Sequence, residues 1–357
     1  MFNHTRLSLA RMRRRLTNKG LAERAGVAAL TITRLEKGEN QPDEETVTKI
    51  AAALRYPPEF FYGDDLDVMP PDAVSFRSLT KMTAKERNAA ISAGSLGLHL
   101  SHWVEDRFSL PGNRLLDLSH ETNPEAAASS LRQHWSLGVK PIGHMIKLLE
   151  AHGVRVFSLS ENTASVDAFS FWQDERSFIF LNNFKTAERS IFDAAHELGH
   201  LVLHKHAGNK DARAAEREAN AFASAFLMPR DDVRPRMPRL VTVSTVLKAK
   251  ARWRVSAMAL AHRLHALRLL SDWQYKSMCI ELGRRGYRMG EPEGIEHERS
   301  AVWSKILSQL WSERVTKSEI AAELNLPLDE LEGLVWGVSS VSPPVPLRGP
   351  DRLRAVK

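Results

Sequence analysis

Five consecutive residues, His196-Glu197-Leu198-Gly199-His200, have the types and the spacing that zinc-dependent hydrolysis needs. They lie within residues 191–204, whose apolar periodicity predicts an α-helix. Two histidines four positions apart occupy one helical face and can bind the same zinc ion, while Glu197 between them is placed to move the proton of a water molecule. The alternative is an amphipathic helix with two unrelated histidines, so the flanking residues must supply the rest of the site.

A catalytic zinc ion needs a third protein ligand and an open position for water. A second amphipathic helix is predicted over residues 215–228, and its first turn contains two glutamates. We expect Glu216 to be the ligand and Asn220, on the same helical face, to orient a ligand histidine. Glu218 is the alternative ligand. His204 lies one further helical turn along, about 6 Å away along the axis, and is expected to pack behind the metal.

These roles define a mechanism for peptide hydrolysis. Zinc held by His196, His200 and Glu216 would polarise the scissile carbonyl and lower the pKa of a water molecule toward neutrality. Glu197 would take the proton of that water and pass it to the leaving amine.

Short strands are predicted directly upstream of the metal-binding helix. Residues 177–182 form one apolar, β-branched and aromatic run, and residues 154–159 and 166–172 are its expected neighbours, with a polar turn at 160–165. If residues 177–182 lie at a sheet edge, they could bind an extended peptide substrate by backbone pairing. An ordinary buried strand is the equally plain alternative. The site is therefore expected to be helices packed on a small sheet.

The N-terminal 63 residues predict a separate helical unit. Thr17 can cap its second helix, Gly26 allows the turn into the third, and Gly38 closes the third; the helices are expected at 6–16, 18–25, 28–37, 42–54 and 59–62. Two short helices around a glycine turn can place one helix in the DNA major groove. The unit has 11 Lys or Arg against 7 Asp or Glu, which favours phosphate contact. A helical bundle that binds a partner protein is the alternative.

This N-terminal unit resembles the phage-repressor (Xre, Cro/C1-type) helix-turn-helix domain. The residues that carry the resemblance are Leu16-Thr17, Leu21-Ala22, Ala25-Gly26-Val27, Ile32, Leu35-Glu36-Lys37-Gly38 and Gln41-Pro42. The resemblance implies that Ala29, Leu30, Thr33 and Arg34 face the bases, and that Asn18 contacts phosphate where a glutamine is common. Since Ala29 and Leu30 are poor hydrogen-bond donors, direct readout would depend on Thr33, Arg34 and methyl contacts.

With both motifs in hand, the chain resembles the ImmA/IrrE family of zinc metallopeptidases in its form fused to an Xre domain. Further matching stretches are Ser75-Phe76-Arg77-Ser78-Leu79, Trp135-Ser136-Leu137-Gly138, residues 148–154, 194–204 and 216–223, Phe226-Leu227-Met228-Pro229, and residues 252–256. The resemblance implies that His196, His200 and Glu216 bind zinc. It also implies cleavage of a repressor or antitoxin-like protein to switch on genes.

The expected fold class is mainly α with a small β-sheet (α+β). Its expected parts are a five-helix repressor-type domain (1–63), a linker and long helix (64–122), a zincin-like metallopeptidase domain (123–229), a helical C-terminal region (230–340) and a disordered tail (341–357). Within the C-terminal region, residues 317–331 look like half of a helix-turn-helix. The acidic Asp329, Glu330 and Glu332 favour contact with protein there rather than with DNA.

Composition and charge narrow the class of protein. The 357 residues are 43% hydrophobic and 26% charged, as in soluble proteins, and the net charge of +7 favours an acidic partner such as DNA. Residues 1–16 do not read as a signal peptide, and no run of 18 apolar residues occurs, so a cytoplasmic protein without membrane contact is expected. The single Cys279 excludes an internal disulfide and a multi-cysteine zinc site, and is expected to be a small buried hydrophobe.

Three functions remain open on the sequence alone. The first is a transcriptional regulator that binds an operator in double-stranded DNA and carries an active zinc endopeptidase directed at a protein partner or at itself. The second is a regulator whose metallopeptidase-like domain senses a metal, ligand or partner without proteolysis. The third is an antitoxin that binds a toxin. A homodimer is expected, because repressor-type units read two half-sites by twofold symmetry and the long helix at 83–108 could supply the contact.

Overall fold

The structure is a computed structural model that describes residues 1–69, 83–159, 168–182, 184–206, 211–288 and 290–335. Helices dominate these residues, and one three-stranded sheet accompanies them, which confirms the predicted mainly-α class with a small sheet. The matching stretch at 75–79, the turn expected at 160–165 and the tail expected at 341–357 lie outside the described residues. In the part of the chain that is described, no helix is long and apolar enough to cross a bilayer.

Residues 1–63 form the predicted five-element helical unit. Its elements are α1 (His4–Arg13), α2 (Asn18–Ala25), α3 (Ala29–Glu36), α4 (Glu44–Leu54) and a 3₁₀ turn (Pro58–Tyr62). The Thr17 hydroxyl accepts a hydrogen bond from the Gly20 amide and so begins α2, and Gly26 ends it at a φ of 66°. Apolar side chains from every element close the core, among them Leu7, Leu21, Ile32, Ile50 and Phe60.

A long helix, α5 (Ala84–Glu105), connects this unit to the sheet. Thr83 begins it with a capping box: the Thr83 hydroxyl accepts a hydrogen bond from the Glu86 amide, and the Glu86 carboxylate accepts one from the Thr83 amide. Gly97 lets α5 approach the sheet closely, because a Cβ atom there would lie 2.5 Å from the ring of Phe180. The predicted long helix is therefore buried along much of its length by its own chain.

The sheet has the strand order β1-β3-β2, with β1 (Val154–Leu159), β2 (Ala168–Gln173) and β3 (Arg176–Asn182). β1 runs parallel to β3, and β2 runs antiparallel to it. The expectation that residues 177–182 could form a sheet edge is wrong, because β3 is hydrogen-bonded on both sides. Its phenylalanines stack on those of its neighbours, as Phe180 does on Phe157 and Phe169, and this aromatic layer favours the central position.

Two further helices, α6 (Pro124–His134) and α7 (Met145–Ala151), precede the sheet. Two more, α8 (Ala187–Leu203) and α9 (Ala212–Leu227), follow it and pack on each other, with α8 also against β2 and β3. The remaining helices are α10 (Arg230–Val233), α11 (Val243–Trp253), α12 (Ala257–Ala266), α13 (Asp272–Arg284), α14 (Ala301–Ser312), α15 (Lys317–Glu323) and α16 (Leu328–Val335). Cys279 on α13 is only partly buried, rather than fully buried as expected.

The last helix, α16, packs between the N-terminal unit and the sheet. On one side, Glu330 pairs with Arg13 at 2.7 Å and with Arg14 at 3.0 Å, and accepts a hydrogen bond from the Tyr56 hydroxyl. On the other side, the Ser158 hydroxyl of β1 donates to the carbonyl oxygen of Gly333 at 2.7 Å. The acidic segment for which the sequence predicted contact with protein therefore contacts the N-terminal helical unit of the same chain.

Burial strengthens the interaction between the charged groups of this contact. The Glu330 side chain is 2% exposed and that of Arg13 is 8% exposed. Burial lowers the pKa of the Arg13 guanidinium, but Glu330, with smaller contributions from Tyr56 and Asp329, more than offsets this, so that the net shift is upward. Burial likewise raises the pKa of the Tyr56 hydroxyl well above its ordinary value, with Glu330 adding to the shift. Both shifts hold Arg13 charged and Tyr56 neutral beside the carboxylate.

Candidate metal centre

Two crossing helices, α8 and α9, bring together the three residues that the sequence proposed as zinc ligands. His196 and His200 lie one turn apart on α8, and Glu216 faces them from the first half of α9. Gly199 makes the close crossing feasible, because a Cβ atom at this position would lie 3.0 Å from the ring of Phe222 and 3.3 Å from the Cα atom of Ala219. The glycine inside the pentapeptide thus allows the two helices to pack closely, which the sequence of the motif does not indicate.

The ligand atoms of this group converge on one point. The Nε2 atoms of His196 and His200 are 3.1 Å apart, and Glu216 carboxylate oxygens lie 3.6 Å and 3.3 Å from them, respectively. Donor atoms in a tetrahedral zinc site, each about 2.0–2.1 Å from the ion, are separated by about 3.3 Å. The three residues are buried or nearly so, and they fit a zinc ion by donor type and by spacing.

Glu197, the expected general base, is buried, and its carboxylate is held by the sheet. The Ser170 hydroxyl of β2 donates a hydrogen bond of 2.6 Å to Glu197 Oε2 and also lies 3.3 Å from the Glu197 carbonyl oxygen. A carboxylate that accepts a short hydrogen bond from a buried hydroxyl has a fixed orientation. Sequence reasoning missed Ser170, since a serine inside a strand carries no signal of its own.

His204 and Glu218 lie directly behind the ligand group. The Nδ1 atoms of His200 and His204 are 3.0 Å apart, and His204 Nε2 lies 2.9 Å from Glu218 Oε2. Glu218, the alternative ligand, therefore contacts His204, whereas Glu216 is the carboxylate that meets the histidine pair. His204 packs behind the proposed metal position, as the sequence led us to expect.

Asn220 has a different contact from the one expected. Its Nδ2 atom donates to the main-chain carbonyl of Glu216 at 2.8 Å, four residues earlier on α9, rather than to a ligand histidine. An asparagine side chain is short, and on a helix it reaches the carbonyl of the preceding turn readily. The side chain that contacts His200 from behind is His204 instead.

The recognition helix proposed in the N-terminal unit is α3. Ala29, Leu30 and Arg34 are exposed on it, with Leu30 58% exposed, so these three side chains can reach DNA. The Thr33 hydroxyl donates to the Ala29 carbonyl at 3.1 Å and is half-buried. Among the four residues expected to face the bases, Arg34 is therefore the one with exposed side-chain hydrogen-bond donors.

Asn18, expected at a phosphate, uses its side chain inside the unit. Its Nδ2 atom lies 3.2 Å from Glu36 Oε2 and 3.5 Å from Thr33 Oγ1. Glu36 in turn binds Arg11 through both carboxylate oxygens, at 2.6 Å and 3.0 Å. The Asn18 amide thus joins α2 to α3 and, through Glu36, to α1, and its contact with phosphate stays a prediction.

Comparison with protein families bears on both regions. Residues 149–265 match the profile of the IrrE N-terminal-like domain, a peptidase family, and this range contains the sheet and the ligand group. Residues 7–61 match the helix-turn-helix family, which covers α1 to the 3₁₀ turn. The chain combines an IrrE-like domain with a helix-turn-helix domain. A comparison with curated proteins gave no match.

These matches confirm the resemblance inferred from the residues, since both domains lie where the motifs placed them. The helix-turn-helix domain is of the DNA-binding kind, and the IrrE-like domain is metallopeptidase-like. The matched range of the IrrE-like domain extends beyond Pro229 through α11 and most of α12, so helices that the sequence assigned to a C-terminal region belong with it.

Proposed function

We propose that this chain is a DNA-binding transcriptional regulator whose IrrE-like domain is a zinc-dependent endopeptidase. Its substrate is a repressor or antitoxin-like protein partner, or the chain itself. The observation that carries this proposal is the convergence of His196, His200 and Glu216 beside an oriented Glu197. A structural zinc site would be closed by a fourth protein ligand, whereas the described residues contribute three ligands here, which leaves a position for a reacting molecule.

Each side chain has a defined task in this proposal. His196, His200 and Glu216 would hold a zinc ion, which when bound polarises the scissile carbonyl and lowers the pKa of water. Glu197 accepts the proton of the attacking water and delivers it to the leaving amine. Ser170 keeps the Glu197 carboxylate in one orientation, through the hydrogen bond of 2.6 Å, so that proton transfer does not wait for a side-chain rotation.

The substrate is expected to bind along β2. Among the described residues β2 pairs with β3 alone, so its other edge is available to an extended peptide, and β2 itself contributes Ser170. β1, the other outer strand, is covered by α16 and by Trp303, whose indole donates to the Val156 carbonyl at 2.9 Å. Pairing along β2 would bind a peptide to the strand that also carries Ser170, the partner of Glu197, which supports an endopeptidase acting on extended segments.

The decisive experiment compares the zinc-loaded chain with its Glu197→Gln variant. Each is incubated with purified repressor or antitoxin proteins encoded next to it, and cleavage is followed by intact-mass spectrometry. We expect cleavage by the natural chain and a loss of at least about a hundredfold in the variant, since general-base catalysis contributes about 10² to 10⁴. Glu175→Gln, which changes an exposed glutamate (side chain 87% exposed), is the matched control. Equal cleavage by the natural chain and Glu197→Gln would refute the role of Glu197.

A second function, sensing without proteolysis, is favoured by α16. This helix contacts β1 of the IrrE-like domain and also Arg13 and Arg14 of the helix-turn-helix domain, so a change in one domain has a direct route to the other. In that case operator affinity would respond to zinc equally in the natural chain and in Glu197→Gln. Under the endopeptidase proposal, only the natural chain would remove its partner from the operator. A homodimer on DNA is part of both proposals, and sedimentation of the operator complex tests it.

A further inference from the structure

We propose that His204 and Glu218 are positioning residues that fix the ring of His200 for metal binding. The proposal rests on the zinc site inferred above and deepens it. His200 presents Nε2 to the ligand group, 3.1 Å from His196 Nε2, and turns Nδ1 toward His204. Behind His204, the Glu218 carboxylate closes a chain of three side chains.

With both rings neutral and His200 bound to zinc through Nε2, hydrogen-bond chemistry allows one arrangement of protons among these three side chains. A neutral histidine ring has one N–H group and one acceptor nitrogen. For His200 to bind zinc through Nε2, its proton must be on Nδ1, and this N–H then donates to Nδ1 of His204. His204 Nδ1 is consequently the acceptor, so the proton of His204 is on Nε2 and donates to Glu218. The Glu218 carboxylate accepts this hydrogen bond, so every donor among these three side chains meets an acceptor.

The geometry favours this arrangement over the alternatives. Both contacts are short, 3.0 Å and 2.9 Å, and the side chains of His200 and His204 are 7% and 8% exposed. In such a buried environment a hydrogen bond between correct partners is strengthened, and the reverse tautomer of His200 would place two acceptor nitrogens against each other. The contacts behind His200 therefore favour the tautomer that metal binding through Nε2 requires.

Glu218 acts on the metal only through His204. It follows Glu216 by two residues on α9, and residues two apart on a helix do not share a face. Its Oε2 atom is bonded to His204, while Glu216 supplies the carboxylate at the ligand group. This distinguishes a positioning glutamate from the alternative metal ligand that the sequence left open.

The first test measures the tautomer in the metal-free protein at fixed pH. Nitrogen-15 NMR of histidine-labelled protein reports which ring nitrogen carries the proton. We expect the Nδ1–H form of His200 in the natural chain and a shift toward the Nε2–H form in His204→Ala. A His200 ring that is Nε2–H in the natural chain, or that does not change in His204→Ala, would overturn the proposal.

The second test measures zinc affinity by competition with a chelator, independently of any peptide. Contacts behind a metal ligand typically contribute about 10- to 100-fold to affinity. We expect losses of that size in His204→Ala and a smaller loss in His204→Asn, whose side-chain oxygen can accept the His200 Nδ1–H. His206→Ala is the matched control, because His206 is 64% exposed and contacts Asp117 at the surface.

A double variant separates the two roles of Glu218. If Glu218 works through His204, Glu218→Gln lowers zinc affinity in the natural chain and changes nothing further in His204→Ala. A full additional loss in His204→Ala would mean that Glu218 meets the metal directly, which overturns the proposal. Circular dichroism of the metal-free variants verifies that each is folded. If His204→Ala is not folded, His204→Asn takes its place in these measurements. Zinc binding without proteolysis would refute only the endopeptidase, whereas a natural chain that binds no zinc would refute both proposals.

Discussion

The candidate metal centre and the recognition helix α3 present their functional side chains in opposite ways. At the metal centre, Glu197 is held by Ser170 and His200 by His204, through contacts of 2.6 Å and 3.0 Å between buried groups. On α3, Leu30 and Arg34 project into solvent from a helix that is itself fixed by its buried side, Ile32 and Leu35.

The difference follows from what each surface has to recognise. Zinc and a reacting carbonyl need donor atoms placed to within about 0.5 Å, so the side chains must be oriented before the ligand arrives. DNA brings its own rigid pattern of donors and acceptors, and an exposed arginine can adjust to it on binding. Orientation by a second layer of buried side chains is therefore a feature of the metal centre that exposed residues such as Leu30 and Arg34 do not need.

Besides the Asn18, Glu36 and Arg11 contacts between its own helices, the helix-turn-helix domain has a buried polar cluster at its junction with α16. Arg13, Arg14 and Tyr56 surround the buried Glu330 there, on α1 and after α4 rather than on α3. At this junction, buried and mutually oriented charges thus join the two domains.

The largest expected effect tests this joint. Glu330→Ala should destabilise the docked arrangement by about 3–5 kcal/mol, because it leaves the buried Arg13 charge without its partner. Denaturant unfolding should then resolve the helix-turn-helix domain as a separate, earlier transition. Asp329→Ala, which removes a carboxylate that is 60% exposed, should cost less than about 1 kcal/mol. Similar losses in both variants would show that burial does not decide the strength of this joint.

Next in size is the removal of the contact to the general base. Ser170→Ala should slow peptide cleavage by about 10- to 100-fold while leaving zinc content unchanged, since hydrogen bonds to charged groups contribute about 1.5–3 kcal/mol. Steady-state cleavage of the partner protein measures this, with Ser129→Ala on the exposed face of α6 as the control. If Ser170→Ala leaves the cleavage rate unchanged, catalysis does not require the Ser170 contact to orient Glu197.

A comparable or smaller effect is expected at the recognition helix. Arg34→Ala should weaken specific operator binding by about 1–3 kcal/mol without altering the free energy of unfolding. Fluorescence anisotropy with operator and unrelated DNA at one stated salt concentration measures both affinity and preference. Lys49→Ala, an exposed residue of α4 that pairs with Glu45, is the control. Unchanged affinity and preference in Arg34→Ala would mean that another face of the domain meets the bases.

The smallest effect is expected for Leu30→Ala. Leu30 is 58% exposed, so its removal should change the free energy of unfolding by less than about 0.5 kcal/mol. Its expected role is methyl contact with a thymine, so the loss should be confined to operators with thymine at one position. Competition between operator variants that differ at single base pairs would detect it, and a uniform loss across all of them would argue against base contact.

Local patterns predicted much of the fold because short-range physics determines them. The expected limits of β1, residues 154–159, are those observed, and Thr17 and Gly26 begin and end α2 as capping chemistry requires. The spacing of His196 and His200 is also local, because four residues on a helix determine which side chains share a face. Glu216 was within reach of sequence reasoning since its helix starts close after the first.

Other features depend on which elements meet, and they were missed or misplaced. The pattern of residues 177–182 is equally suited to an edge and to a central strand, and only the pairing with β1 and β2 decides for the centre. Ser170 and Glu197 are 27 residues apart, and nothing in either segment indicates the other. Spacing alone predicted that Asn220 contacts a ligand histidine, but its side chain instead donates to the main-chain carbonyl of Glu216.

By itself, the sequence determined that this chain joins a helix-turn-helix domain to an IrrE-like domain with a histidine pair and a nearby glutamate. Helix periodicity, capping residues and motif spacing act within about one turn of chain, so they can be read from the residues. The tertiary structure decided which glutamate faces the histidines, which serine holds Glu197, and which acidic residue joins α16 to α1. Those choices rest on contacts between residues up to 317 positions apart, and packing in three dimensions alone determines them.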